Sequence, residues 1–306
     1  MDEPAPLRIA VLGAGGVGGL LAGLLARQGD AVTVLARDAT AAGLRVGGIT
    51  VHSAQFGNFT AAVSTAAALE QPVDACFVTV KATQLESALD RVPAESLDGA
   101  LLVPFLNGVE HVEALRHHYP AARVAPATIR VESARSAPGV IEHTSPITRV
   151  EVAAGENDAQ AVRPLIERLQ HAGLDVQARD DETAMLWEKL VFLAPMALLT
   201  THAAAELGRV RTERRDELIA MVEEIAAVAD RLGVTIDAAA VVAALDAMPA
   251  IMQSSMQRDA AAGRPLEVEA IGGAVLRAAD RSGVPVPATA RLVEDLRRRD
   301  VGPGGR

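Results

Sequence analysis

Leu7-Arg8-Ile9-Ala10-Val11-Leu12 runs directly into Gly13-Ala14-Gly15-Gly16-Val17-Gly18. The first run is apolar apart from Arg8 and carries β-branched members, as a buried parallel strand requires. The second fits G-x-G-x-x-G. Val17 to Gln28 then has the pattern of a helix stopped by Gly29, and Ala31 to Ala36 reads as a second strand, which completes one βαβ unit. The glycine pattern alone has little specificity, and a plain structural turn or an FAD site would also fit it. A strand before it and a helix after it are the context of a dinucleotide-binding fingerprint, here for NAD(P). Gly13 permits the tight turn, Gly15 lets a pyrophosphate approach the backbone, and Gly18 lets the helix pack on the strand. The N–H groups around Ala14, Gly16 and Val17 open the helix and point at the phosphates.

Further along the chain, Val73 to Val80 and Ala100 to Leu106 read as more buried strands, with helical stretches between. Arg123 to Ala154 alternates β-branched and polar residues around a Pro138-Gly139 turn, which predicts antiparallel strands that finish the sheet. Asp158 to Ala172 reads as a helix and Leu174 to Gln177 as a last strand. Beyond Arg179-Asp180-Asp181 the pattern is helical: Glu182 to Leu199, Arg211 to Leu232 closed by Gly233, Val268 to Ser282 closed by Gly283, and a last helix from about Pro287. Val301 to Arg306 is a Gly/Pro tail expected to be disordered. The chain of 306 residues therefore divides into an α/β N-terminal Rossmann-type domain, 1–180, and an all-helical C-terminal domain, 181–306.

Composition excludes several classes of function. A formal net charge of -10 disfavours nucleic acid and anionic membranes as partners, and 2% aromatic residues leave little for base stacking. The single cysteine, Cys76, lies in an apolar strand and reads as a core thiol, and it leaves no intramolecular disulfide. Seven scattered histidines have no metal-ligand spacing, so no metal is expected. The acidic, proline-broken start lacks the features of a signal peptide, and the apolar stretches read as too short to span a bilayer, so the expected location is the cytoplasm. The expected partner is a small molecule, and a homodimer through the helical domain is the one macromolecular association left open.

Two cations bear on the choice of cofactor. Arg37 follows the second strand, where an NAD enzyme usually has an acidic residue for the ribose hydroxyls. A guanidinium there suits a 2′-phosphate, whereas Asp38 is the alternative that would serve NAD. Lys81, after the Val73 to Val80 strand, adds a second cation at the carboxyl edge of the sheet. Together they favour NADPH.

Five segments in order carry a resemblance: Gly13 to Gly18; Val80-Lys81-Ala82-Thr83-Gln84; Asn107-Gly108-Val109-Glu110; Trp187-Glu188-Lys189-Leu190; and Ser254-Ser255-Met256 through Asp259, Gly263-Arg264 and Glu267. Over nearly its whole length the chain resembles the ketopantoate reductases (2-dehydropantoate 2-reductases). The resemblance implies NADPH-dependent reduction of a 2-oxo acid to a 2-hydroxy acid, a step toward pantothenate and coenzyme A. It implies Lys189 as general acid, Asn107 beside nicotinamide and substrate, and Ser255 and Glu267 as substrate binders. It further implies Lys81 and Gln84 as cofactor contacts, with Arg37 on the 2′-phosphate. The chemistry agrees: hydride delivery builds negative charge on a ketone oxygen, and a nearby cationic acid stabilises that charge and supplies a proton. Read without the resemblance, Lys189 would equally suit a snorkelling surface lysine beside Glu188, Glu267 a solvated carboxylate, and Asn107-Gly108 a turn.

One departure bears on the substrate. The family has Asn four and eight residues after the acid lysine, on one helix face. Here those positions are Leu193 and Ala197, and Pro195 between them is expected to kink the helix. A pocket without two amides suits a more apolar 2-oxo acid, unless Thr200, Thr201 or His202 compensates. Three readings follow: ketopantoate reduction, reduction of a different and more apolar 2-oxo acid, or a non-catalytic NADP-binding regulator.

Overall fold

The structure, a computed structural model, describes residues 6–146, 148–154 and 159–300, apart from the side chains of Asp38 and Ala39. The tail expectation for Val301 to Arg306 lies outside these residues. The chain forms two compact units, one of the chain up to Leu106 with His111–Glu182, the other of Asn107–Glu110 with the chain from Thr183.

In chain order the strands are β1 (Arg8–Leu12), β2 (Ala31–Leu35), β3 (Ile49–Ser53), β4 (Phe59–Ala61), β5 (Ser64–Ala66), β6 (Ala75–Val78), β7 (Leu101–Pro104), β8 (Arg123–Val124), β9 (Ala127–Arg130), β10 (Ser133–Ala137), β11 (Val140–His143), β12 (Arg149–Ala153) and β13 (Asp175–Arg179). The first unit also holds α1 (Gly16–Arg27), α2 (Asp38–Gly47), α3 (Leu85–Leu89), α4 (His111–His118) and α5 (Ala159–His171). Its main sheet has the order β5-β2-β1-β6-β7-β8, and its paired strands are all parallel. Numbered within that sheet alone, the order is 3-2-1-4-5-6, the doubly wound dinucleotide-binding arrangement. β1, at its centre, is fully buried from Ile9 to Leu12 because helices cover both faces, which explains the continuous apolar run. Cys76 is buried in β6, and burial pushes its thiol up to about 12, so it stays protonated and inert.

Three expectations need correction. The strands within Arg123 to Ala154 do not finish the parallel sheet antiparallel to it. Only β8 joins that sheet, and it does so in parallel. β10, β11, β3 and β4 make a second sheet, and β13, β12 and β9 a third. β11 pairs in parallel with β3, Ile141 opposite Val51. Alternation marks a strand but not its partner, and β3 supplies that partner from a segment for which the sequence suggested no strand. The helix expected over Arg211 to Leu232 is broken into α7 (Leu207–Glu213) and α8 (Arg215–Arg231). Arg214 leaves helical geometry at the break, its guanidinium held by His202 Nδ1 at 2.8 Å and by Glu217. These tertiary contacts override an amphipathic run that would otherwise continue.

The third correction concerns α6 (Glu182–Ala203), which runs through Pro195 as one helix of 22 residues. It is long and apolar enough to cross a membrane by length and composition, although no stretch was expected to be. Every residue from Ala194 to Thr201 is buried, and α6 supplies the centre of the second unit's apolar core with Met221, Ile225, Ile271 and Val293. That burial is what a core helix needs. Around it stand α7, α8, α9 (Ala238–Ala247), α10 (Ser255–Ala261), α11 (Ala274–Ser282) and α12 (Pro287–Asp300). α11 is entered through a π turn, Glu269–Gly273.

Candidate active site

In the first unit, Gly13 sits at φ +113°, and a Cβ there would lie 2.8 Å from the Val80 nitrogen. Only glycine tolerates both. A Cβ on Gly18 would collide with the Gly13 carbonyl and the Thr79 hydroxyl, so α1 can pack this tightly only without a side chain. Gly15, which caps α1, has open space where its side chain would be. That opening beside free helix N-terminal N–H groups fits a pyrophosphate, and any larger residue would fill it.

The loop is tied to the next strand. Thr79 Oγ1 donates to the carbonyls of Leu12 at 3.1 Å and Gly13 at 2.7 Å, and its N–H donates to Leu12. Two residues on, the half-buried Lys81 starts the short 3-10 turn Ala82–Gln84, with Gln84 exposed. Lys81 is thereby brought to the glycine loop, as β1 and β6 being neighbours requires. From the other side, Ser133 Oγ donates to the Gly16 carbonyl at 3.0 Å and Arg135 Nη1 to that of Ala14 at 3.4 Å. Thr79, Ser133 and Arg135 were not anticipated, because their relation to the loop depends on strand pairing.

Arg37 is exposed at the end of β2, where it starts α2. It has a neighbour the sequence did not suggest. Arg91 Nε donates to the Ala67 carbonyl at 2.6 Å and Nη2 to that of Ala66 at 3.5 Å, the same Ala66 carbonyl that accepts from the Ala36 N–H. Burial, then the Arg37 charge, holds the Arg91 guanidinium below its ordinary value. No carboxylate among the described residues is paired with either. Two guanidiniums close together at one sheet edge fit a dianionic phosphate.

In the second unit, Asn107 and Glu267, 160 positions apart, are hydrogen bonded, Asn107 Nδ2 donating to Glu267 Oε2 at 3.2 Å. Glu267 is 4% exposed, so it is not the solvated carboxylate of the bland alternative. Lys189 lies half-buried on α6 between Glu188 and the buried Leu190, with Trp187 in the core. Ser255 is exposed as the first residue of α10. Its predecessor Ser254 caps that helix by accepting from the Gln257 N–H, and contacts Thr200 Oγ1 at 3.0 Å. The Asp259 and Arg264 of the same segment are structural: Arg264 Nε donates to Asp259 Oδ1 at 2.8 Å and closes the loop that leads to Glu267.

Along the α6 face, Leu193 is half-buried and Ala197 is 1% exposed within the core. Of the three residues offered as compensation, Thr200 is committed to Met196 and Ser254, and His202 to Arg214 and Arg299. Thr201 Oγ1 is buried without a hydrogen-bond partner.

Residues 9–157 match the family described as ketopantoate reductase PanE/ApbA, and residues 181–300 match its C-terminal part. The 2-dehydropantoate 2-reductase of Mycobacterium tuberculosis is 30% identical over 242 residues, 76% of this chain and 78% of that protein. Among solved structures, 2-dehydropantoate 2-reductase from Geobacter metallireducens superposes with a TM-score of 0.87 at 28% identity, over 96% of this chain and all of that one. D-mandelate dehydrogenase with NADH and anilino(oxo)acetate reaches a TM-score of 0.88 at 21% identity, over 95% and 98%, a likeness of fold.

Proposed function

Because the chain belongs to the ketopantoate reductase PanE/ApbA family, we propose that it reduces a 2-oxo acid with NADPH, with 2-dehydropantoate to (R)-pantoate as the leading reaction. The observation that carries this reading is the hydrogen bond between Asn107 and the buried Glu267, two residues that sequence comparison alone nominates for substrate. When bound, the dihydronicotinamide supplies a hydride to the ketone carbon. Gly13 to Gly18 hold the pyrophosphate, Lys81 and Gln84 contact the cofactor, and Arg37 with Arg91 takes the 2′-phosphate. Asn107 Nδ2 is engaged with Glu267, so its Oδ1 is left to orient the amide group beside the nicotinamide. Glu267 accepts from the substrate hydroxyl, and Ser255 binds the opposite end. Lys189 Nζ would stabilise the growing charge on the ketone oxygen and give it a proton.

The test uses cofactor deuterated at the transferable position. The mass of the 2-hydroxy acid product must rise by one deuterium, with NADPH preferred over NADH. Unlabelled product, or no product from any 2-oxo acid, refutes the reading. A second reading is favoured by Leu193 and Ala197: a more apolar 2-oxo acid, as the mandelate dehydrogenase likeness illustrates. A panel of 2-oxo acids graded by the apolar size of the substituent separates the two.

A further inference from the structure

The Asn107–Glu267 hydrogen bond is braced from outside by a residue that neither the motif nor the chemistry above uses. Residues 107–110 form a short strap that clusters with the helical unit. Each of its four residues is fastened. Asn107 donates to Glu267. Gly108, at φ +84°, lies so close to the Ala270 carbonyl that a Cβ would collide with it. Val109 packs on the helical core, and Glu110 receives the guanidinium of Arg277. Arg277 Nε lies 2.9 and 3.2 Å from the two Glu110 oxygens, and Nη2 lies 2.6 Å from Oε2.

The same guanidinium holds the other partner. The π turn Glu269–Gly273 begins two residues after Glu267, and the Ala274 N–H closes it on the Glu269 carbonyl. Arg277 Nη2 donates to that carbonyl at 2.8 Å, and Nη1 to Glu269 Oε2 at 3.0 Å. Arg297 grips the Glu269 carboxylate from the far side, at 2.6 and 2.9 Å. π turns are rare and recur at functional sites. Here the turn has an arginine satisfying its closing carbonyl and tying it to the strap that carries Asn107.

We propose that Arg277 is a positioning residue: by joining Glu110 to Glu269 it sets the mutual aim of Asn107 and Glu267. The role it serves rests on the reductase reading. Arg277 is 41% and Glu110 38% exposed at the side chain. Exposed ion pairs contribute little to stability, whereas a bidentate guanidinium fixes geometry. Loss of Arg277 should therefore affect turnover far more than folding.

The experiment compares Arg277→Gln, Glu110→Gln and their combination with the wild type, each also in an Asn107→Ala background. Arg277→Gln should lower kcat/KM for the 2-oxo acid about tenfold or more, since small misplacements at a reacting centre are costly. NADPH affinity should stay within about twofold, because the phosphate contacts proposed to dominate cofactor affinity, the glycine loop and Arg37, lie outside the strap, whose Asn107 meets only the nicotinamide end. Glu110→Gln should reproduce much of the loss, and the double change should be sub-additive. With Asn107→Ala already present, Arg277→Gln should cost almost nothing more. Hydrogen exchange gives a readout independent of turnover: amides of 107–111 and 267–273 should lose protection in Arg277→Gln while those of α12 keep theirs. Unchanged exchange at both segments, or losses that add fully to Asn107→Ala, would overturn the proposal. A wild type inert toward 2-oxo acids would remove the reductase reading, and the exchange result would still decide whether Arg277 braces the strap. If Arg277→Gln does not fold, Glu110→Gln alone decides, and normal turnover with normal exchange contradicts the brace.

Discussion

The glycine-rich loop of the first unit and helix α6 of the second make opposite use of their sequences. At the loop, two of the fingerprint glycines are enforced by the protein's own backbone: Gly13 by its φ and Val80, Gly18 by the Gly13 carbonyl. The φ of Gly13 and the Gly13–Gly18 approach are local and generic to dinucleotide sites, so the motif can be interpreted from physics. On α6 nothing local constrains positions 189, 193 and 197. Half-buried lysine, half-buried leucine and buried alanine are all ordinary helix residues. What they do depends on what is carried up to them by other elements. The glycine loop is thus specified largely by its own steric needs, whereas the face of α6 proposed for catalysis is specified by its company.

The largest expected effect breaks the α6 side of this contrast. Lys189→Ala should lower kcat by about 10²–10⁴-fold, the usual contribution of general acid catalysis. NADPH binding, measured by fluorescence, should barely move. A change under about threefold would make Lys189 the snorkelling surface residue that α6 could equally carry.

Next comes the cofactor edge. Arg37→Ala and Arg91→Ala should each weaken NADPH binding roughly 10- to 100-fold, the worth of one charged hydrogen bond. NADH binding should be little changed. Equal wild-type affinity for the two cofactors would contradict this assignment. Arg91 is the informative member, because its place beside Arg37 depends on β5 lying next to β2 and on the Ala66 carbonyl that both segments share.

The two family-divergent positions then separate. Ala197→Asn would bury an amide in the helical core, which should destabilise the protein by about 1–3 kcal/mol if the amide finds no partner. Thermal or denaturant unfolding measures it. Leu193→Asn lies at a half-buried position and should instead raise kcat/KM for ketopantoate by about two- to tenfold, one neutral hydrogen bond regained. If Ala197→Asn is neutral in stability and activating, that side chain reaches the substrate after all.

How far the sequence could be read follows the same division. β1, α1, β2 and the helical second half were legible because burial and capping are local signals. The three-sheet division was not, since β3 and β11 are parallel partners about 90 residues apart and alternation says nothing about pairing. The break between α7 and α8 was invisible because it depends on His202 and Glu217 gripping Arg214. In the candidate site, Arg37, Lys81, Asn107, Lys189, Ser255 and Glu267 could be nominated by spacing and resemblance. Arg91, Thr79 and Arg277 could not, because each acts through a contact between segments far apart in the chain. The Asp259–Arg264 pair shows the reverse: a recognisable motif whose members fasten a loop.

The proposed reaction requires Lys189 of α6 to act as the acid, on a helix that lacks at position 193 an amide favouring a polar substrate. The most direct measurement is wild-type kcat/KM for ketopantoate with NADPH, beside that for a bulkier, more apolar 2-oxo acid. The missing amide at position 193 should lower the ketopantoate value roughly two- to tenfold relative to a pocket that has it. Measurable but modest ketopantoate reduction that Leu193→Asn improves is therefore expected. Fast ketopantoate turnover that Leu193→Asn slows, or no NADPH oxidation with either acid, would contradict it.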